Sequence, residues 1–329
     1  MLTLGIETSC DETAAALVDN GRQVLSSSIS SSVHIHSKFG GIVPEIASRF
    51  HLEYINAVVK LALKKAGKKK SDLDLIAVTF SPGLVGALFV GLCFAKALSY
   101  GLGKPFIGVN HINAHMFAPF LDAQEPEFPF IGLVVSGGHT NLAYVRDFDK
   151  IEVIGKTRDD AAGEAFDKVS KMLGLGYPGG AVIDKLASSI EESEFKFSCA
   201  KLKDTLDFSF SGIKTAVLYK VSKIKLMTNL INAQIAYSFQ KQVTDIITEK
   251  SILACEKFQT NRLCVGGGVT CNSSLRYKLK KQAKTKGIKL LLSKPKFCTD
   301  NAAMIAMLGY YLHRKGVRSE YQLDAKAVA

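Results

Sequence analysis

Short apolar runs, polar turns and longer amphipathic stretches follow one another along this chain, and the same order of elements occurs twice. In the first half, two long stretches predict helices, one starting near Pro44 and one covering residues 84–100. The second stretch contains Lys96 and is shorter than the ~18 apolar residues of a membrane span, so it predicts a buried helix. The apolar runs that predict strands in this half are 2–6, 14–18, 24–29, 75–79 and 106–109.

The second half repeats this order of strands and helices. Helices are predicted at 161–173, at 273–284 and from Thr299, with an inserted helical region at about 174–258. An internal duplication of this kind predicts an α/β protein with two similar lobes and a cleft between them. We expect an N-terminal lobe at 1–108, completed by a C-terminal helix at about 302–329, and a C-terminal lobe at 109–301. The predicted strands of this half are 131–135, 142–145, 151–154, 263–265 and 289–292.

Composition changes this picture in two ways. The net charge of +12, from 42 Lys and Arg against 30 Asp and Glu, favours an anionic partner such as nucleic acid. The alternative is a lysine-rich surface that is simply solvated. Seven cysteines without a CxxC pair, and no signal peptide, indicate a reduced, cytoplasmic protein without a membrane anchor.

Two histidines follow the apolar run at 106–109. His111 and His115 have the i, i+4 spacing that puts two imidazoles on one face of a helix. Such a pair can hold one divalent transition metal with a third ligand from elsewhere, or it can bond to nearby carbonyl groups at a helix start. Ile112 stands where a zinc protease needs its glutamate, which argues against that class.

Two glycine-containing turns follow predicted strands in the second half of the duplicated framework. The segment Val134-Val135-Ser136-Gly137-Gly138 offers backbone N–H groups to phosphate oxygens without an obstructing Cβ atom. Residues 266–268 are three glycines between a strand and a helix, where the backbone can approach a nucleoside closely. The pair of turns is typical of the actin, Hsp70 and sugar-kinase superfamily, whose members bind nucleotide between two lobes.

Longer motifs make the resemblance specific. The chain resembles the TsaD family in register over nearly its whole length. Members of that family transfer a threonylcarbamoyl group from threonylcarbamoyl-AMP to N6 of adenosine 37 in tRNAs that read codons beginning with A, releasing AMP. The motifs that carry the resemblance are GIETSCDET from Gly5, VNHINAH from Val109, VSGGHT from Val135, DDAAGEAFDK from Asp159, YPGG from Tyr177, FSFSGIKT from Phe208 and CTDNAA from Cys298.

The resemblance implies a set of functional residues. His111, His115 and Asp300 correspond to the ligands of one divalent metal ion per subunit, with Fe²⁺ as the first choice and Zn²⁺ as the alternative. Asp167 suits ribose hydroxyls, since a carboxylate can accept two hydrogen bonds from a diol, although it could also be a helix-surface acid. Asn272 could contact the adenylate, cap the helix that follows, or do both. The adenylate contacts implied are Val134, Val135, Ser136, Gly137, Gly138, Asp167, Gly180 and Asn272.

The implied reaction is acyl transfer without a covalent enzyme intermediate. Asp11 or Glu12 could accept the amine proton, or both could simply stabilise their turn. The resemblance also implies three macromolecular partners, namely tRNA, a smaller paralogue called TsaB and an ATPase called TsaE. The alternative functions are a sugar-kinase-like phosphotransferase and a nucleotide-dependent scaffold, neither of which needs His111 or His115.

Overall fold

The computed structural model describes residues 1–39, 41–199, 202 and 204–328, and the chain divides into two compact units. Unit 1 comprises Met1–Pro126 with Ser293–Ala329, and unit 2 comprises Glu127–Leu292. These boundaries differ from the lobes expected from the sequence, because the strand at 106–109 and the two histidines after it belong to unit 1. Within the inserted helical region, Ala200, Lys201 and Lys203 lie outside the described residues.

Unit 1 contains the first set of strands and the last helix. Each strand predicted for this half is present, with bounds that extend the apolar run by one to three residues. Short 3₁₀ turns occur at Ser37–Phe39, Lys70–Asp72, Ala118–Phe120 and Pro295–Phe297. The elements are β1 (Leu2–Glu7), β2 (Glu12–Asp19), β3 (Gln23–Ser31), α1 (Val33–His36), α2 (Pro44–Lys65), β4 (Leu75–Ser81), α3 (Val85–Leu102), β5 (Phe106–Asn110), α4 (His111–Phe117) and, at the end of the chain, α10 (Ala302–Arg314).

The sheet of unit 1 has the strand order β3-β2-β1-β4-β5. β1 pairs antiparallel with β2 and parallel with β4, and β4 pairs parallel with β5. Because parallel strands end at the same edge of a sheet, Glu7 at the end of β1 and Asn110 at the end of β5 lie at one edge. Helix α10 packs directly against β1, since a Cβ atom on Gly5 would overlap the carbonyl oxygen of Ala302. Because Asp300 lies two residues before α10, this contact places Asp300 in the same part of unit 1.

Unit 2 contains the second set of strands and the inserted helices. A 3₁₀ turn at Gly268–Cys271 follows the strand that ends in the glycine run. The elements are β6 (Phe130–Val135), β7 (Thr140–Asp147), β8 (Lys150–Lys156), α5 (Ala162–Met172), α6 (Gly179–Ala187), α7 (Ser211–Val221), α8 (Asn229–Lys257), β9 (Arg262–Gly266), α9 (Ser273–Thr285) and β10 (Lys289–Leu292).

The sheet of unit 2 has the order β10-β9-β6-β7-β8. Read from the other edge, its strands follow the order third, second, first, fourth, fifth, as in unit 1. The antiparallel and parallel pairings also match, with β6 antiparallel to β7 and parallel to β9. Each unit has its own buried apolar cluster. The internal duplication predicted from the order of elements is therefore confirmed in strand order and strand direction.

Helix α3 is less buried than predicted. It has 18 residues and a mean hydropathy of 1.7, which is long and apolar enough to cross a membrane, and 33% of it is buried. A helix of this kind is also found in the cores of soluble proteins. Its opposite face exposes Val85, Phe89 and Tyr100. The prediction of a buried helix was wrong for this face, because apolar composition does not say which neighbour covers each side. The buried positions are Ala87, Leu88, Gly91, Leu92, Ala95 and Ser99.

Candidate functional site

The two predicted histidines lie at the start of a short helix in unit 1. The side-chain oxygen of Asn110 accepts a hydrogen bond from the backbone N–H of Asn113 at 3.0 Å and so caps α4. His111 and His115 both lie on α4, their ring centroids are 4.7 Å apart, and the rings are nearly perpendicular. Their exposed fractions are 5% and 0%. The i, i+4 spacing therefore brings two buried imidazoles together, as the helical period requires.

Asp300 joins the histidines from a distant part of the chain. Its Oδ1 atom lies 3.4 Å from Nε2 of His111 and 3.1 Å from Nε2 of His115. One ligand atom from each of the three residues lies within 4.8 Å of the others. Two imidazole nitrogens and one carboxylate oxygen are a donor set that suits Fe²⁺ and Zn²⁺. The residues present therefore fit the divalent metal that the resemblance implies.

Glu7 is a residue of this cluster that the sequence reasoning missed. Its Oε2 atom lies 2.9 Å from Nδ1 of His111 and accepts a hydrogen bond from the Thr79 hydroxyl at 2.6 Å. Its Oε1 atom accepts one from the Ser9 backbone N–H at 2.6 Å. A carboxylate behind a histidine fixes the ring orientation and leaves the other nitrogen to face a metal. The available signal was an acid ending a strand whose other residues are apolar or small.

The protonation of the cluster follows from burial and from neighbouring charges. Burial alone would lower the pKa of His111, but the carboxylates of Glu7 and Asp300 outweigh it and hold that pKa well above its usual value. Burial alone would raise the pKa values of Glu7 and Asp300, but the charge on His111 keeps both lowered. For His115, burial prevails and the pKa is lowered. His115 is therefore neutral near pH 7, whereas His111 must release its proton when a metal ion binds.

Asp11 lies in the turn between β1 and β2, and Glu12 is the first residue of β2. Burial, followed by the charge of Asp300, raises the pKa of Asp11. Burial and the charges of Asp300, Asp11 and Glu7 raise the pKa of Glu12 to about 8. In the metal-free protein Glu12 therefore carries a proton at pH 7, and a bound cation would lower its pKa. The structure brings both candidate bases into the electrostatic range of Asp300, while their catalytic role stays a prediction.

The turn after β6 is the first of the predicted adenylate contacts in unit 2. Val134 and Val135 are fully buried, so only their backbone atoms could meet a ligand. Ser136 shapes the turn, since its N–H donates to the carbonyl of His139 at 2.8 Å and its hydroxyl accepts from the N–H of His139 at 3.1 Å. A Cβ atom on either Gly137 or Gly138 would meet no atom within 4 Å. Both glycine backbones are therefore open to a ligand, as the motif predicted.

The glycine run in unit 2 leads into helix α9. Gly267 has a φ of +94°, and a Cβ atom there would overlap the carbonyl oxygen of Val135, so no other residue fits without strain. Asn272 caps α9 by accepting a hydrogen bond from the N–H of Leu275 at 3.0 Å. Its amide also donates to Oε1 of Gln240 at 2.7 Å. The capping alternative for Asn272 is therefore observed, and one amide hydrogen remains for a ligand.

Asp167 links the two helices that carry the remaining predicted contacts. Its Oδ1 atom accepts a hydrogen bond from the backbone N–H of Gly179 at 2.7 Å. Gly180 follows directly in α6, and a Cβ atom there would meet nothing within 4 Å. Burial raises the pKa of Asp167. Asp167 is thus a half-buried residue that positions the start of α6, and its contact with a ribose stays a prediction.

Two five-stranded sheets of the same strand order, with glycine turns after β6 and β9, define a protein of the actin, Hsp70 and sugar-kinase-like class. Solved structures agree on the fold. Component A of the Acidaminococcus fermentans (R)-2-hydroxyglutaryl-CoA dehydratase matches with a TM-score of 0.55 at 14% identity, covering 94% of this chain and 98% of that one. Full-length HypF, in its phosphate- and nucleotide-bound form, matches with 0.62 at 13% identity, covering 100% of this chain and 47% of that one.

The chain belongs to the TsaD family, whose model, described as tRNA N6-adenosine threonylcarbamoyltransferase, matches residues 23–307. Two relatives carry that same name. The protein from Clostridium perfringens is 54% identical over 327 residues, which cover 99% of this chain and 96% of the relative. The protein from Dictyoglomus turgidum is 52% identical over 326 residues, which cover 99% and 97%. The predicted family, fold class and transferase activity are therefore confirmed.

Proposed function

We propose that this protein transfers a threonylcarbamoyl group from threonylcarbamoyl-AMP to N6 of adenosine 37 in tRNAs that read codons beginning with A. The observation that carries the proposal is the convergence of His111, His115 and Asp300, with Glu7 behind His111. A kinase or a nucleotide-dependent scaffold would have no use for this buried cluster. Family membership supplies the substrate class.

The three converging residues would hold the metal. His111 and His115 would bind through Nε2 and Asp300 through a carboxylate oxygen, with Fe²⁺ preferred and Zn²⁺ as the alternative. When bound, such an ion supplies Lewis acidity and a fixed point for an oxygen atom of the substrate. Glu7 would keep the His111 ring oriented.

The adenylate would be held by unit 2. The backbone of Ser136, Gly137 and Gly138 is suited to the phosphate, and the carboxylate of Asp167 is suited to the ribose hydroxyls. Gly180 offers an open backbone beside Asp167, and Asn272 lies at the N-terminus of α9. The phosphate is thus bound largely by main-chain groups, which a side-chain change at the metal ligands does not alter.

The transfer itself exchanges one bond to the carbamoyl carbon for another. The adenosine N6 attacks that carbon, the bond from carbon to the phosphate oxygen breaks, and AMP leaves with the bonding electrons. The N6 proton passes to a carboxylate, for which Asp11 and Glu12 are the nearest candidates beside the metal ligands. AMP is a good leaving group, so positioning of the two substrates would supply most of the rate.

Partners complete the proposal. Besides tRNA and threonylcarbamoyl-AMP, we infer that the chain works in the cytoplasm with the smaller paralogue TsaB and the ATPase TsaE. Exposed apolar side chains on two neighbouring helices of unit 1 support a partner subunit. Leu52 and Leu61 of α2 and Val85, Phe89 and Tyr100 of α3 are all exposed. We expect low activity from the isolated chain and restoration by those partners.

A reconstituted assay tests the function. The chain is incubated with TsaB, TsaE, unmodified tRNA, threonine, bicarbonate, ATP and a threonylcarbamoyl-AMP synthase, and the tRNA nucleosides are then analysed by mass spectrometry. We expect His111→Ala to lose metal and transfer while AMP affinity stays similar, and His34→Ala, which changes an exposed histidine, to keep all three. Transfer by His111→Ala without metal would refute the role given to the cluster. With TsaE left out, ADP release by the chain that does not depend on His111 would favour a kinase.

A further inference from the structure

Half of the six lysines near the end of unit 2 pair with acids, and among the described residues the other half do not. The sequence shows a basic cluster from Lys278 to Lys289. In the structure, Lys278 pairs with Asp245 at 2.6 Å, Lys286 with Glu256 at 2.8 Å and Lys289 with Glu127 at 2.9 Å. Three other members of the cluster are exposed, and none forms an ion pair with an acid within the described part of the chain. These three are Lys280, Lys281 and Lys284.

Two of the uncompensated lysines, Lys280 and Lys284, line a groove between helix α9 and the edge strand β10, and Lys281 lies next to Lys280 on the same helix. The groove has a volume of about 330 Å³. Arg276, Lys280 and Lys284 line one side at i, i+4 and i+8, so their positive charges form a stripe along the helix. The floor is apolar and half-buried, and it is formed by Ile288, Leu290 and Leu292 with the buried Ala283. Helix α9 contains no acidic residue.

An aromatic side chain lies on the same helix. Tyr277 is 64% exposed and sits three and four residues before Lys280 and Lys281, which puts all three on one face of α9. Exposed cations interleaved with an aromatic ring are characteristic of surfaces that bind RNA, because phosphates meet the cations and bases stack on the ring. A concave apolar floor is also suited to the faces of riboses and bases.

Helix α9 begins beside the predicted adenylate contact Asn272 and extends away from it. Its N-cap is Asn272, and Lys280 and Lys284 lie eight and twelve residues further on. At 1.5 Å per residue these lysines are about 12 and 18 Å from the N-terminus of α9. A tRNA whose reacting nucleoside meets the adenylate held near that N-terminus can therefore extend to the groove.

We propose that the groove between α9 and β10 binds the sugar-phosphate backbone of the tRNA substrate, outside the reacting nucleoside, through Lys280, Lys281 and Lys284. This inference rests on the proposed function, which makes tRNA the substrate. The contact is independent of nucleotide sequence and acts on affinity, not on the transfer step. It also predicts which lysines of the basic cluster matter, namely those without an acidic partner.

Two charge-matched variants test the proposal. The groove pair, Lys280→Gln/Lys284→Gln, removes two charges that line the groove. The control pair, Lys286→Gln/Lys289→Gln, removes two charges that acids already neutralise. Binding of unmodified tRNA is measured at several salt concentrations. We expect the groove pair to weaken binding about tenfold at low salt and to reduce the slope of log K against log salt by about 1.5 to 2. The control pair should change the affinity less than about twofold. Glutamine keeps the helix propensity of lysine, and thermal melting checks the fold.

The reaction gives a second measurement. In the reconstituted assay, the groove pair should raise KM for tRNA and leave kcat at saturating tRNA unchanged. Unchanged affinity and slope, or a fall in kcat, would overturn the groove as an RNA contact while wild-type transfer still upholds the proposed function. Poly-glutamate is the competing probe. If it binds the wild-type protein as tightly as tRNA and loses that affinity in the groove pair, the groove is a site for acidic peptides and the RNA proposal is wrong.

Discussion

The Nδ1 atom of His111 lies 2.9 Å from the Oε2 atom of Glu7, and neither side chain is more than 7% exposed. Glu7 ends β1 and His111 begins α4, so the contact joins two elements at one edge of the sheet of unit 1. A buried carboxylate at this position orients the ring and makes it a stronger metal ligand.

Replacing Glu7 should weaken the metal site without removing a ligand. In Glu7→Gln the side chain keeps its size but loses the charge that orients and polarises His111. We expect metal affinity to fall about 10- to 100-fold. Metal titration monitored by calorimetry measures the change, and Glu53→Gln, at an exposed position of α2, is the control. Equal metal affinity in the two variants would contradict the role of Glu7.

Glu12 should make the metal-free protein less stable as the pH rises. Burial and nearby carboxylates raise its pKa in the folded state to about 8, against 4.5 as the usual value. Between these values the folded state holds a proton that the unfolded state has lost, so the free energy of unfolding falls with increasing pH. Above pH 8 this loss is complete.

The variant Glu12→Gln isolates this effect. In the presence of a chelator, it should gain stability over the wild type from about pH 5 to about pH 8, with no further gain above that. Melting temperatures across this range measure the difference. A difference that is constant with pH would show that Glu12 titrates normally.

Gly5 should be indispensable for the position of the last helix. A Cβ atom there would overlap the carbonyl of Ala302 and approach the N–H of Ala306 at 2.9 Å, so Gly5→Ala forces α10 away from β1. We expect a loss of about 1–3 kcal/mol in the free energy of unfolding, together with weaker metal binding, because Asp300 directly precedes α10. Denaturant unfolding and metal titration are the measurements.

A second glycine in unit 1 provides the control. Gly101 lies in α3, and a Cβ atom there would meet nothing within 4 Å. Gly101→Ala should therefore leave stability unchanged or raise it by up to about 1 kcal/mol. If both variants were equally stable, close packing of α10 on β1 would not be the reason for glycine at position 5.

The exposed face of α3 should bind the partner subunit. Phe89 is 54% exposed, and a charged residue at the centre of an apolar interface is costly to bury. Phe89→Asp should weaken binding to TsaB at least about tenfold and leave metal content unchanged. Leu253→Asp is the matched control, since Leu253 is 47% exposed on a helix of unit 2. Sedimentation or calorimetry with purified TsaB measures the affinity, and equal binding by both variants would remove α3 from the interface.

Local patterns predicted much of this protein. The strand at Lys289–Leu292 has the predicted bounds, and helix α9 extends one residue past its predicted end. The order of elements also predicted the duplication that the two sheets share. These features depend on periodicity, turns and caps, which involve neighbours within a few residues. The helical spacing of His111 and His115 is a local feature of the same kind.

The tertiary structure decided which residues that are far apart in the sequence contact one another. Asp300 meets His115 across 185 positions, and only the motif resemblance, not any spacing, suggested that pairing. Glu7 reaches His111 across 104 positions and was missed. In the same way, Glu256 pairs with Lys286 and Glu127 pairs with Lys289, while Lys280 and Lys284 have no acidic partner within the described part of the chain.

Burial was misjudged for the same physical reason. The apolar sequence of α3 predicted a buried helix, but one face remains exposed, and no helix or strand of unit 1 covers Phe89 among the described residues. A side chain's hydrophobicity determines that it gains free energy from burial, whereas the packing of other elements determines whether it is buried. The sequence by itself therefore determined the elements and the family, and the fold decided which side chains meet, which charges cancel and which apolar face stays open.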